Sequence, residues 1–168
     1  MKKDKFIILL ALFSLVLFLS GCSVTVHREL KHQDFAVKYP NWGNYKLEKY
    51  DDQTFKAVTT NSQNTCQVLV SAYGLGYLKI TKIVLDTVEE SPIYTLLEKD
   101  VTYNTASLLY TVGEPRNEQV KVNVLQCGDF SYVVQYTCAA EVYPKKQSDI
   151  LTVVNSMKCT APLENTFY

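Results

Sequence analysis

Histidine is nearly absent from this chain: two residues in 168, against twelve tyrosines and seven phenylalanines. Both of them, His27 and His32, sit in one short polar stretch near the start. A Ser-His-Asp or Cys-His hydrolase would therefore have to recruit its base from outside the main body of the chain, which argues against that class of enzyme. An excess of charge of one sign is missing as well. The 17 basic and 17 acidic side chains cancel, and nucleic acids are bound chiefly by Lys and Arg that displace counterions from phosphates, so no nucleic-acid partner is expected. No G-x-G-x-x-G and no G-K-[ST] follows Gly74-Leu75-Gly76, which excludes a phosphate loop there and leaves a chain reversal. No C-x-x-C pair is present either, and thiol oxidoreductase chemistry and the usual structural zinc site both lose their signature. What is present is a composition of 47% hydrophobic and 20% charged residues, enough to bury a core in one domain and incompatible with a disordered chain.

The first 22 residues carry the most specific signal. Lys2, Lys3 and Lys5 precede an apolar run from Phe6 to Leu19 that is interrupted only by Ser14. A bilayer span needs about 20 such residues, whereas a secretory signal uses roughly 7 to 15 followed by small residues. Ser20 and Gly21 are small, and Cys22 follows them. Leu19-Ser20-Gly21-Cys22 thus resembles the lipobox of bacterial lipoproteins. That resemblance implies that residues 1–21 are a signal peptide, that Cys22 is the lipidation site, and that the protein is membrane-anchored outside the cytoplasm, on the periplasmic face of the envelope or at the cell surface. Two acyl chains at about 0.8 kcal/mol per buried methylene hold firmly where one holds marginally. Loss of residues 1–21 removes three lysines and Asp4, leaving 14 basic against 16 acidic residues. With a net charge of about −2 and no polybasic run, the lipid and not headgroup attraction is expected to supply the attachment.

Four cysteines remain: Cys66, Cys127, Cys138 and Cys159. An even count in an exported chain reads as disulfides, with three possible pairings; buried free thiols are the alternative. Reach favours one pairing. A strand from Phe130 to Cys138 runs out about 27 Å, and a helix from Ser148 to Cys159 returns about 17 Å. That brings Cys159 back towards Cys127 and leaves Cys66 for Cys138.

Residues 22–33 show no clear period and read as a tether, with a reach of about 35 Å. Within it, His27 and His32 with Glu29 and Asp34 offer imidazole and carboxylate, but a solvated tether has no fixed neighbours to orient metal ligands. No metal and no other cofactor is therefore expected. The domain proper is expected at 34–159, with 160–168 as a frayed tail.

Phe35–Tyr39 alternates and stops at Pro40; Tyr45–Tyr50, Thr54–Thr60 and Cys66–Tyr73 follow as an antiparallel meander. Residues 78–89 place Ile80, Ile83, Val84 and Val88 at helical spacing, with a strand as the alternative because of the β-branched content. Strands are then expected over 93–99, 103–112, 120–127 and 130–138, the last pair a hairpin across Gly128-Asp129. Its two faces both carry apolar residues: Val120, Val122, Val124 and Val133 on one, Leu125, Tyr132, Val134 and Tyr136 on the other. Each face needs a cover. The 78–89 helix can cover one, and a terminal helix with Ile150, Val153, Val154 and Met157 in a stripe can cover the other. The fold class is α+β, a largely antiparallel sheet flanked by helices.

Phe35-Ala36-Val37-Lys38-Tyr39-Pro40 followed by Trp42, the Tyr132-Val133-Val134-Gln135-Tyr136 strand and the closing Ile150-Leu151-x-x-Val154-x-Ser156-Met157 helix resemble the PsbP and Mog1-like group, seen also in DcrB-like envelope lipoproteins. The resemblance implies an αβα sandwich and a binding, assembly or accessory module with no shared catalytic residues. Paired carboxylates at Asp51-Asp52 and Glu89-Glu90 read as solvated turns, and most tyrosines as packing on a pleated sheet. The expectation is a lipid-anchored, non-catalytic module with an envelope protein as partner, docking at a sheet edge or loop end. The alternative is a small-ligand carrier or an enzyme using an apolar pocket between sheet and helix.

Overall fold

The computed structural model describes residues 26–160 apart from 43, 52–53, 62 and 64. Cys22, the signal segment and residues 161–168 lie outside the described residues. The chain runs β1 (His27–His32), β2 (Phe35–Pro40), β3 (Asn44–Asp51), β4 (Thr54–Thr60), β5 (Cys66–Tyr73), α1 (Tyr77–Glu90), β6 (Tyr94–Val101), β7 (Thr105–Val112), β8 (Glu118–Cys127), β9 (Phe130–Ala139), a 3-10 turn (Tyr143–Lys146), α2 (Gln147–Ser156) and β10 (Lys158–Cys159).

Seven strands make one sheet in the order β3-β4-β5-β9-β8-β7-β6, every neighbouring pair antiparallel. Alternation explains its two faces. Leu125, Tyr132, Val134 and Tyr136 point to one core, while Val120, Val122, Val124 and Val133 point to the other. Register holds because slipping by one residue would turn all of these to the wrong side. The β8–β9 turn starts at Gly128, whose φ of +55° favours glycine over any residue with a Cβ.

The second of these faces is covered by α1, which packs on β6 to β9. Ile80, Thr81 and Val88 are its buried residues, with Tyr77, Val84 and Leu85 partly buried. Ile83, expected in the stripe, is instead half exposed. On a 3.6-residue helix the row 77-80-81-84-85-88 occupies one side, and position 83 falls well off it.

The other face is covered by a second sheet, β1-β2-β10, with α2 lying along β2. This corrects two sequence-level readings. Residues 27–32, read as tether, form β1 and pair along their whole length with β2, from His27 opposite Pro40 to His32 opposite Phe35. The alternation was hard to read because only Leu30 is buried; Arg28, Glu29 and Lys31 face solvent. The terminal helix, expected to reach Cys159, ends at Ser156. There the Ser156 hydroxyl accepts from Lys38 N (2.8 Å) and donates to the Val153 carbonyl (2.8 Å). Lys158 and Cys159 then pair with Ala36 and Phe35.

Aromatic rings join the two sheets. Phe35, fully buried, stacks on Tyr132 with centroids 4.2 Å apart and planes 7° from parallel. His32 meets the edge of the same tyrosine, whose hydroxyl donates to the His32 carbonyl at 3.1 Å. Two disulfides close the assembly. Cys66 and Cys138, partners on β5 and β9, are joined with Cα atoms 4.1 Å apart. Cys127 at the end of β8 is joined to Cys159 on β10, Cα atoms 5.4 Å apart.

Candidate functional site

The loop end of the large sheet is built by residues far apart in the chain. β5 leaves the sheet at Tyr73, and α1 begins at Tyr77 without a side-chain cap of its own. Gln126, at the far end of β8, takes that part: its Oε1 accepts from Tyr77 N (3.0 Å) while its Nε2 donates to the Gly128 carbonyl (2.7 Å). Buried Ser131 has one hydroxyl proton to share between the Leu75 carbonyl and Gln126 Oε1 (2.8 Å). Across the sheet, the Tyr77 hydroxyl donates to the Thr102 carbonyl (3.0 Å), and Gln126 N to the Asn104 carbonyl (3.0 Å). Three connections, 74–76, 102–104 and 128–129, are thereby held together with the first turn of α1.

This end exposes apolar side chains. Tyr103 is 93% exposed and Leu78 60%, and Tyr73, Leu75 and Val101 are also open to solvent at the same end. Single exposed apolar residues are ordinary; several at one end of a sheet make that end the candidate site. Sequence reasoning treated Gly74-Leu75-Gly76 as a chain reversal only. Gly76 itself has an ordinary φ of −62°, and a Cβ there would meet open space.

A buried polar cluster lies toward the opposite end. Asp149, in the first turn of α2, approaches Lys146 Nζ (3.6 Å) and His27 Nε2 (4.0 Å). The Tyr136 hydroxyl, buried against this cluster, has no hydrogen-bond partner among the described residues. Burial first, and the Asp149 charge second, push the Tyr136 phenol well up from its ordinary value. Burial likewise raises Tyr110, Tyr132 and Tyr143 to about 12.

These tyrosines are neutral in the fold, whereas an unfolded phenol ionises near 10. Above that value the unfolded chain holds fewer protons than the native one, so stability falls as pH rises from about 10 to 12. A urea midpoint that holds steady near pH 9 and drops across that interval is expected. Tyr136→Phe should flatten the drop and, by deleting an unpaired buried hydroxyl, add about 1 kcal/mol at neutral pH.

Of the sequence-level metal candidates, His27 turns to Asp149, His32 Nδ1 lies 3.1 Å from the Tyr132 hydroxyl, and Glu29 pairs with Lys31 (3.3 Å). They do not converge with Asp34. Among the described residues no group of three His, Cys, Asp or Glu side chains is placed to hold a metal ion. Surface grooves among the described residues include the following. One of about 500 Å³ runs between α2 and the outer side of the small sheet past Glu29, Lys38, Asn155 and Lys158. The other, about 340 Å³, lies beside Cys66 among Thr60, Gln67, Glu118 and Thr137. The first mixes Leu151 with polar and charged side chains, and the second is lined mainly by polar groups.

No protein-family profile matches the chain, and no curated protein matches it in sequence. Solved structures do. The cyanobacterial PsbP (CyanoP) of Synechocystis sp. PCC 6803 superposes with a TM-score of 0.59 at 12% identity, over 83% of this chain and 95% of that one. LpqN, involved in cell envelope biogenesis of Mycobacterium tuberculosis, gives 0.50 at 9% identity, over 83% and 93%. The fold is therefore PsbP-like: α+β, with an antiparallel sheet between a helix and a mixed layer of helix and small sheet.

Proposed function

We propose that this protein is a lipid-anchored module of the cell envelope that works without catalysis, by docking an envelope protein on the apolar loop end around Leu78 and Tyr103. The observation that carries this reading is the exposed apolar platform, held by the Gln126 and Ser131 hydrogen bonds at the end of the sheet away from the start of β1. Two disulfides support an oxidising, extracytoplasmic setting. The lipobox-like Leu19-Ser20-Gly21-Cys22 supports the anchor. LpqN, similar in fold, is itself involved in cell envelope biogenesis, which supports the same setting here.

The test is crosslinking in intact cells with full-length protein, comparing wild type with Leu78→Asp/Tyr103→Asp. Both side chains are solvent-exposed, so the variant should keep its disulfides and its thermal midpoint. A crosslinked partner recovered with wild type and reduced at least tenfold with the variant is the expected result. Equal recovery from both would overturn the docking site. Intact mass of the mature chain, with Cys22→Ala as control, decides the anchor separately: a lipid-sized mass on a chain starting at residue 22 is expected.

A further inference from the structure

We infer that the end of the domain where β1 begins rests on the membrane headgroups through Trp42, Val26, Arg28, Lys145 and Lys146, and that the apolar loop end consequently faces away from the bilayer. The inference rests on the lipid-anchored reading and gives it an orientation.

Chain length is the first ground. Since β1 already starts at His27, the segment between a lipidated Cys22 and Val26 is four residue steps, roughly 14 Å when fully extended. The 35 Å tether expected from sequence would have let the domain tumble freely. The short one keeps Val26 close to the surface at all times.

The composition of that end is the second. The Val26 carbonyl accepts from Asn41 N (2.8 Å), which sets Val26, 65% exposed, beside Trp42. Trp42 is the single tryptophan of the chain, half-buried with its ring edge-on to Tyr136 at 5.8 Å. Tryptophan is the side chain that settles at the headgroup level, its body apolar and its N–H wet. Arg28 is exposed on β1 beside His27, and Lys145 and Lys146 sit on the 3-10 turn that leads into α2. The acids nearby are Glu29, exposed beside Arg28 and paired with Lys31, Glu118 at the start of β8, Glu141, exposed, and Asp149, buried behind Lys146. Arg28 and Lys145, both exposed, together with Lys146, give this end cationic groups to meet anionic headgroups, on a mature chain that is negative overall. Such a patch would bind anionic lipid weakly by itself. Once the lipid holds the domain at the surface, the effective concentration of headgroups makes a weak contact sufficient to orient it.

Geometry supplies the third ground. Thr59 Oγ1 reaches the Pro40 carbonyl at 3.5 Å, and Thr59, Val68 and Tyr136 form one row across the large sheet. Tyr73 and Ser131, at the loop end, pair five residue steps further along β5 and β9, roughly 16 Å away. The connections carrying Leu75 and Tyr103 extend beyond that row. If one end touches the bilayer, the other projects from it.

The lone tryptophan makes a direct probe. Lipidated full-length protein is reconstituted into vesicles of three parts phosphatidylcholine to one part phosphatidylglycerol, with a nitroxide on a fraction of the headgroups. Trp42 emission is expected to fall by at least half, and to recover most of its intensity in Arg28→Glu/Lys145→Glu, which leaves the Lys146–Asp149 pair in place and stays bound through its lipid. A bound, lipidated wild-type chain with unquenched emission overturns this orientation and leaves the anchor standing. Quenching unaffected by the Arg28/Lys145 variant overturns the part assigned to the basic residues. Emission that changes with protein density and not with nitroxide content would assign the end to a second copy of the chain. A mature chain recovered from cells without lipid on Cys22 would instead overturn the anchored reading itself.

Discussion

Reducing both disulfides is expected to unfold the domain in plain buffer. Cys66–Cys138 and Cys127–Cys159 span 72 and 32 residues. Restricting the unfolded chain over loops of that size stabilises the native state by about 4 kcal/mol for each. Single domains are typically stable by about 5–15 kcal/mol in all, so losing both removes half or more of that stability and unfolds a domain at the lower end of the range. The two bonds act on different parts. Cys66 and Cys138 are already opposite each other in the β5–β9 ladder, so their bond restricts the unfolded ensemble while adding little new order to the native one. Cys127–Cys159 also ties β10, a strand of only two residues, to the end of β8. Denaturant midpoints for wild type, for Cys66→Ala/Cys138→Ala and for Cys127→Ala/Cys159→Ala, each with and without reductant, check this. Reduced wild type lying within about 1 kcal/mol of the oxidised form would contradict the loop-entropy account.

Phe35→Ala is expected to cost about 3–5 kcal/mol, the range for emptying a fully buried aromatic site. Phe35 has no exposed surface, stacks on Tyr132, and lies between the two sheets on the central strand of the smaller one. Its loss removes the ring contact that joins the layers and leaves a cavity beside a tyrosine whose hydroxyl bonds β1. The effect should therefore concentrate on the small sheet. Amide exchange in β1 and β2 is expected to speed up more than in β8 and β9, alongside a lower urea midpoint. Phe35→Leu, which keeps most of the apolar volume, should recover more than half of the loss. Uniform acceleration across both sheets would show that the two layers unfold as one unit.

The fold class lay open in the linear pattern because alternation is local. Val120, Val122 and Val124 against Leu125, together with Tyr132, Val134 and Tyr136 against Val133, require two cores whatever the rest of the chain does. The Gly128 reversal and the strands 54–60 and 66–73 are likewise set by neighbours a few residues away. Weak alternation hides β1: three charged residues and a single buried leucine resemble a tether until β2 supplies the partner. Helix spacing alone could not choose which stripe of α1 faces the sheet, and Ile83 was misassigned for that reason. The loop end was invisible for a different one. Gln126 bonds Tyr77 across 49 residues, and Ser131 bonds Leu75 across 56. Sequence by itself determined the cysteine count, the lipobox-like Leu19-Ser20-Gly21-Cys22 pattern and the two-faced sheet, since each is written in contiguous residues. Tertiary structure alone decided that residues 27–32 form a strand, which residues hold the apolar loop end and which end of the domain β1 starts from, because each depends on hydrogen bonds and packing between segments whose separation along the chain carries no local pattern.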